Sequence, residues 1–222
     1  MLKHLSLLII ILLVIINAKL QAQDIRLRAP SGYNYIYNEP HFTKGMEGSP
    51  YLDDWQSADI LLKNGKTISG LMVRYNVYTK EMLYKDNGKT YIIGTPDSIS
   101  EIKFSDKIFI YKEYKNNKKG EKCYFEVFVN GKASLLNKYE IEVIFATYNT
   151  TFAVGNKNDR LFLKQQLYLQ KGDQLMALNK NKLLEFLYDK KDKVSYYIDK
   201  NKLSVKNKED IIKILVYYNQ LQ

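Results

Sequence analysis

Two adjacent carboxylates beside two aromatic rings are the first residues in this sequence that invite chemistry: Asp53 and Asp54, between Tyr51 and Trp55. Glycoside hydrolysis needs only two acids at the right separation, and an aromatic face stacks on a sugar ring. Tyr51, Asp53, Asp54 and Trp55 are therefore the candidate ligand-binding residues of a sugar-contacting groove. Adjacent acids in a loop more commonly serve as solvated or capping groups, and no catalytic residue is assigned to them.

A second group is cationic. Lys112, Lys115, Lys118, Lys119 and Lys122 stand close together against Glu113 and Glu121. Lysines on a loop approach phosphate or uronate groups without costly desolvation, so Lys115, Lys118 and Lys119 are the candidate contact to an anionic surface. The plainer role is a solvated turn that keeps a sheet edge from pairing with its neighbours.

Other chemistries lack their residues. The chain has one cysteine and two histidines, of which His41 alone lies beyond the leader described below. Neither HExxH nor CxxC spacing occurs, so no metal and no cofactor is expected. A Cys123/His41 dyad would need a reactive thiolate and an orienting third group. Cys123 instead lies in the strand-like run Lys122 to Val129, on the face of Phe125, Val127 and Val129, which predicts a buried, inert thiol. The nucleophile elbow GxSxG is missing. Ser100 and Lys103 match SxxK, but a strand turns residues three apart to opposite faces. Neither GxGxxG nor GxxxxGK is present to cradle phosphate.

The formal charge is +10 and nearly all lysine, the arginines being Arg26, Arg28, Arg74 and Arg160. Lysine favours diffuse attraction to anions over bidentate reading of phosphate and bases. Nucleic acid is not an expected partner, because the chain reads as exported.

The elements that must position these residues are mostly strands. Short runs rich in branched and aromatic residues recur from about residue 58: 60–63, 67–75, 81–85, 90–93, 98–104, 107–114, 122–129 and 134–139. Asn64-Gly65, Asn87-Gly88 and Asn130-Gly131 separate pairs of them, and Asn-Gly between strand-like runs is a strong hairpin signal. Asn116 to Gly120 predicts a longer hairpin loop. Residues 140–148 and 161–170 read as two further strands. So many strands must curl into a barrel or fold into two layers to hide their edges.

From about Leu178 the period becomes helical. Asn179, Asp189 and Asn207 are the expected caps of three short helices, the first stapled by Leu178 onto Leu183 and the last carrying the stripe Ile211, Ile214, Leu215 and Tyr218.

The first 22 or so residues form a secretory leader: Lys3 and His4, then an apolar stretch from Leu5 to Ile16 broken only by Ser6, then Ala22 at the cleavage point. The stretch is shorter than the roughly 20 apolar residues a spanning helix takes, although retention as an anchor is the alternative. The organisation expected is a leader (1–22), an irregular aromatic lead-in (23–57), an antiparallel β domain (58–175) and a helical appendage (176–222). The fold class is β-rich α+β, a meander closing into a barrel-like or two-layer sheet.

As a set, Gly48-Ser49-Pro50-Tyr51-Leu52, Trp55, Asn64-Gly65-Lys66, Arg74-Tyr75-Asn76-Val77-Tyr78, Glu209-Asp210-Ile211-Ile212 and Tyr217-Tyr218-Asn219 resemble a family of uncharacterised exported proteins of Bacteroidetes-type bacteria. The resemblance implies the cell envelope of a Gram-negative bacterium, periplasm or outer surface, and brings no activity or catalytic residues. The expected function is a non-enzymatic envelope module, binding or structural, with an envelope protein or an anionic polysaccharide as partner. The alternative is an envelope enzyme that acts on a glycan through its loop carboxylates.

Overall fold

A computed structural model of the chain describes Tyr37, residues 46–116 and residues 119–221. The expected leader, most of the lead-in with His41, and Lys118 lie outside the described residues.

Branched and aromatic residues dominate the runs that become strands, and all the strands join one sheet. They are β1 (Gln56–Leu62), β2 (Thr67–Asn76), β3 (Glu81–Asp86), β4 (Lys89–Ile92), β5 (Ile99–Lys103), β6 (Ile108–Asn116), β7 (Lys119–Val129), β8 (Ser134–Ile144), β9 (Arg160–Lys171) and β10 (Gln174–Ala177). The order is β10-β9-β8-β7-β6-β5-β1-β2-β3-β4, and neighbours run antiparallel. The sheet is not closed into a barrel, which corrects that expectation: β4 and β10 remain its edges. Both are short, one way an open sheet limits unwanted edge pairing. The chain is also not a simple meander, because β5 returns to pair with β1.

Curvature substitutes for closure. Alternate residues of β6, β7 and β8 feed two separate cores, as the two-residue period of a strand requires. On one face Phe109, Tyr124 and Tyr139 pack with Ile60, Val73, Tyr75 and Ile102. Tyr75 of β2 meets Tyr124 of β7 with ring centroids 5.7 Å apart, although three strands separate them in the sheet. On the other face Tyr114, Cys123, Phe125, Leu136 and Tyr168 form a cluster that both Ile110 of β6 and Leu175 of β10 join. The two halves of the sheet thus curl toward opposite sides.

Turn chemistry sets the hairpins in different ways. Asn87 (φ 48°) and Gly88 (φ 75°) give the two positive angles of a type I′ turn. At Asn64-Gly65 only Gly65 is left-handed (φ 83°), and Leu62 and Lys66 close a longer turn around it. Residues 134–144 are one continuous strand rather than two runs divided at residue 140, and β10 was not anticipated. A bulge between Val127 and Val129 rotates Val129 off the face of Cys123 and into the helical core. The expected long loop at 116–120 is shorter, because β6 and β7 stay paired out to Asn116 and Lys119.

The tail holds α1 (Leu183–Phe186), α2 (Lys191–Asn201) and α3 (Lys208–Gln220). Asn207 caps α3, its Oδ1 accepting the Asp210 N–H at 3.0 Å. The stripe Ile211, Ile214, Leu215 and Tyr218 is fully buried against Val129, Leu135 and Leu169 of the sheet and Ala133 of the β7–β8 turn. Asn179 caps only a 3-10 turn that precedes α1. Asp189 is not a cap: Lys190 precedes α2, while Asp189 accepts from Lys171 Nζ at 2.7 Å and from the Tyr218 hydroxyl at 3.0 Å. A long-range charge partner has outcompeted the local role that the sequence suggests.

Candidate functional site

The Tyr51–Trp55 stretch crosses the end of β2, where Tyr51 bridges Asn76 and the Leu52 N–H bonds the Tyr75 carbonyl at 3.1 Å. This brings all four sequence-derived residues close to Arg74. The Arg74 guanidinium lies 3.4 Å from the Tyr51 ring centroid and 4.6 Å from that of Trp55, and Lys85 Nζ lies 4.7 Å over Trp55. Faces that would stack on a sugar thus carry cations of the chain itself.

The acids are engaged as well. Asp53 Oδ2 accepts from Lys107 Nζ at 2.7 Å, and Asp54 Oδ1 accepts the Trp55 N–H at 2.8 Å. Burial would lower the Lys107 ammonium, but the hydrogen bond and charge of Asp53 outweigh it and hold the group above its ordinary value. The cavity beside Asp53, Asp54 and Lys107 has a volume of about 10 Å³, on the order of one water.

In the basic hairpin, Lys115 and Lys119 are exposed near the end of the β6–β7 ladder. Lys122 bonds both carboxylate oxygens of Asp97, at 2.8 and 3.0 Å. Next to it, burial pushes the Cys123 thiol up to about 12, so the group stays protonated at neutral pH and is no nucleophile.

Sequence reasoning missed the polar groups inside the sheet. The Tyr114 hydroxyl donates to Glu121 at 2.8 Å and receives Lys138 Nζ at 3.4 Å, and Lys138 pairs with Glu140 at 3.3 Å. On the opposite face the Tyr139 hydroxyl donates to Glu126. The sequence signal for both was the density of tyrosine, 19 in the chain, placed at strand positions whose partners only the register reveals.

The site that stands out is a pocket of about 410 Å³ at the mouth of the β1–β7 curl. It lies between the β2–β3 turn and the end of β4 on one side and β6 and β7 on the other, across the gap that closure would have filled. Met82, Ile93, Tyr111 and Tyr124 supply apolar surface, with Thr79, Lys80, Glu81 and Lys122 around them. The Tyr124 hydroxyl and Thr79 Oγ1 are buried and have no hydrogen-bond partner among the described residues. Such groups cost about 1–3 kcal/mol when nothing satisfies them. Burial first, then the neighbouring Tyr111, Glu81 and Asp97, hold the Tyr124 phenol well above its usual range, so it is a neutral donor and acceptor. A second pocket, of about 510 Å³, opens on the other face between Lys63, Glu101, Lys112 and Gln170.

Among the described residues, no group of three or more His, Cys, Asp or Glu side chains is placed to hold a metal ion, and no helix is long and apolar enough to cross a membrane. These features define an open antiparallel β-sheet protein with a docked helical tail. Comparisons with protein-family models, with curated proteins and with solved structures each give no match.

Proposed function

We infer that the protein is an exported, non-enzymatic module of the cell envelope that binds a ligand. The observation that carries the binding reading is the pocket at the mouth of the β1–β7 curl, where Met82, Ile93, Tyr111 and Tyr124 form an apolar lining with Thr79, Lys80, Glu81 and Lys122 around it. The space there is within the roughly 300–1,000 Å³ typical of small-molecule sites. Export rests on the leader at residues 1–22, and the resemblance to envelope proteins of Bacteroidetes-type bacteria supports the same address. An envelope protein or an anionic polysaccharide remains the partner class, with Lys115, Lys118 and Lys119 as its contact.

The second reading, a glycan-cleaving enzyme that uses Asp53 and Asp54, draws on their place beside Tyr51 and Trp55. It is the weaker one, since Asp53 is ion-paired to Lys107 and Asp54 holds its own backbone. Cell fractionation with N-terminal sequencing, followed by affinity capture from the native envelope, tests the first reading. A chain that begins near Gln23 and is retained by one envelope component is expected; an intact Met1 in the inner membrane would refute it.

A further inference from the structure

We propose that the tip of the β8–β9 hairpin docks on an anionic lipid surface and sinks Phe145, Phe152 and Val154 into the boundary between headgroups and acyl chains. The inference goes beyond the binding-module reading and makes no use of its pocket.

The hairpin outruns its neighbours in the sheet. β7 pairs with β8 only as far as Lys138 and β10 pairs with β9 only from Tyr168, whereas β8 and β9 stay paired out to Ile144 and Arg160. Glu47 braces the base of the loop that follows, donating to the Asp159 carbonyl at 2.9 Å and accepting the Leu161 N–H at 2.8 Å. On that loop Phe145 is 68% exposed, Phe152 73% and Val154 59%. Large apolar side chains gathered on one exposed element mark a docking surface.

The loop is built to hold them out. The Asn149 N–H bonds the Val154 carbonyl at 2.8 Å, the Thr147 N–H bonds the Asn156 carbonyl at 3.0 Å, and Asn149 Oδ1 accepts the N–H groups of Thr151 and Phe152 at 2.9 and 3.2 Å. Gly155 has φ 99°, and a Cβ there would stand 2.5 Å from the Thr147 carbonyl oxygen, so the turn closes only on glycine. Much of the loop's backbone hydrogen bonding is thus internal, which lowers the cost of leaving water.

Charge selects the kind of surface. Lys157 and Arg160 stand behind the tip with no ion pair among the described residues, Lys157 Nζ lying 5.0 Å over the Tyr148 ring, while Lys164 further back is paired with Glu142. The one acid between residues 145 and 160, Asp159, already accepts the Ala146 N–H at 2.6 Å. An apolar tip with cations behind it matches the layering of an anionic membrane surface, acyl chains within and phosphates outside. A protein partner would need a pocket shaped to each ring. A fluid lipid layer closes around them.

The test is cosedimentation of the mature chain with vesicles of phosphatidylethanolamine and phosphatidylglycerol, and with vesicles of phosphatidylcholine alone, at low and high salt. The anionic vesicles should bind the chain, and phosphatidylcholine should bind it about tenfold less. Phe152→Ser combined with Val154→Ser should lower binding about tenfold or more, and Lys157→Gln about fivefold. Tyr196→Ser removes another exposed ring, on α2, and should change nothing. Because the tip side chains are exposed, the variants should keep the parent's thermal midpoint; if the double variant fails to fold, Phe145→Ser carries the comparison. An environment-sensitive dye on Thr150→Cys, with Cys123 buried and withheld from the reagent, should shift to the blue when anionic vesicles are added. No binding to anionic vesicles, undiminished binding by the tip variants, equal binding to phosphatidylcholine, or an unshifted dye would overturn the proposal. Tip variants that keep vesicle binding but lose a captured envelope protein would make the hairpin a protein contact and overturn it equally.

Discussion

Asn219, in the last turn of α3, and Ala133, in the β7–β8 turn, exchange two hydrogen bonds. Asn219 Oδ1 accepts the Ala133 N–H at 2.8 Å, and Asn219 Nδ2 donates to the Ala133 carbonyl at 2.9 Å. The side-chain amide acts as a surrogate peptide unit and ties the end of the chain to the sheet. Asn219→Ala leaves both backbone groups of a fully buried residue unpaired and should cost about 1–3 kcal/mol. Urea denaturation measures the loss, and hydrogen exchange at Ala133 should accelerate more than exchange in β1 or β2.

Acid should loosen the same docking. The Lys171 hydrogen bond, the largest effect, outweighs the opposing effect of burial and, with the hydrogen bond from Tyr218, holds the Asp189 carboxyl below its ordinary value. A depressed carboxyl stabilises the fold above its unfolded value of about 3.9 and loses that contribution as pH falls through the lower folded value. Urea midpoints at pH 6, 4 and 3 should therefore decline more steeply for the parent than for Asp189→Asn.

The Cys123 thiol should behave as a reporter of unfolding. Raised to about 12 and only 1% exposed, it should resist a thiol reagent at pH 8 in native buffer and react fully in denaturant. Rapid native labelling would mean that the β6–β10 curl opens far more readily than its packing implies.

Arg74 should be irreplaceable by lysine. Its planar guanidinium fits between Tyr51 and Trp55, a stacked arrangement that a compact ammonium does not reproduce. Arg74→Lys should lower stability by about 0.5–2 kcal/mol and shift the emission of Trp55, the chain's single tryptophan. An unchanged spectrum would show that the rings do not depend on this cation.

The basic hairpin is tested by changing Lys115, Lys118 and Lys119 to glutamine and following retention on anionic envelope material as salt rises. Screening acts over about 8 Å at physiological ionic strength, so a contact there weakens with both the mutation and the salt. Retention that responds to neither leaves the hairpin as a solvated turn.

Local signals carried much of this fold. Asn87-Gly88 predicted its type I′ hairpin, and the stripe from Ile211 to Tyr218 predicted the buried face of α3, because both depend on residues near one another in sequence. Asp189 misled for the opposite reason: its partner Lys171 is 18 residues away, and nothing local announces it. The bulge that turned Val129 was equally hidden, since one extra residue resets the alternation without changing composition. At the candidate site, the Tyr51–Trp55 stretch was visible as a motif, but the guanidinium between its rings comes from β2. The Tyr124–Thr79 pocket was not legible at all. It is created by curvature, which brings together strands that are remote in both sequence and sheet order.

In the sheet order every adjacent pair except β1 and β5 is consecutive along the chain. The hairpins can therefore form from short segments, and the molecule assembles from two ribbons, β1–β4 and β5–β10, that join along a single seam. At that seam Ile60 faces Ile102, both with no exposed surface. Its closure brings together residues about 40 apart and carries the larger entropic cost, so it is the step expected to set the folding rate. A substitution such as Ile102→Val should slow folding, while the same change within one ribbon should chiefly speed unfolding.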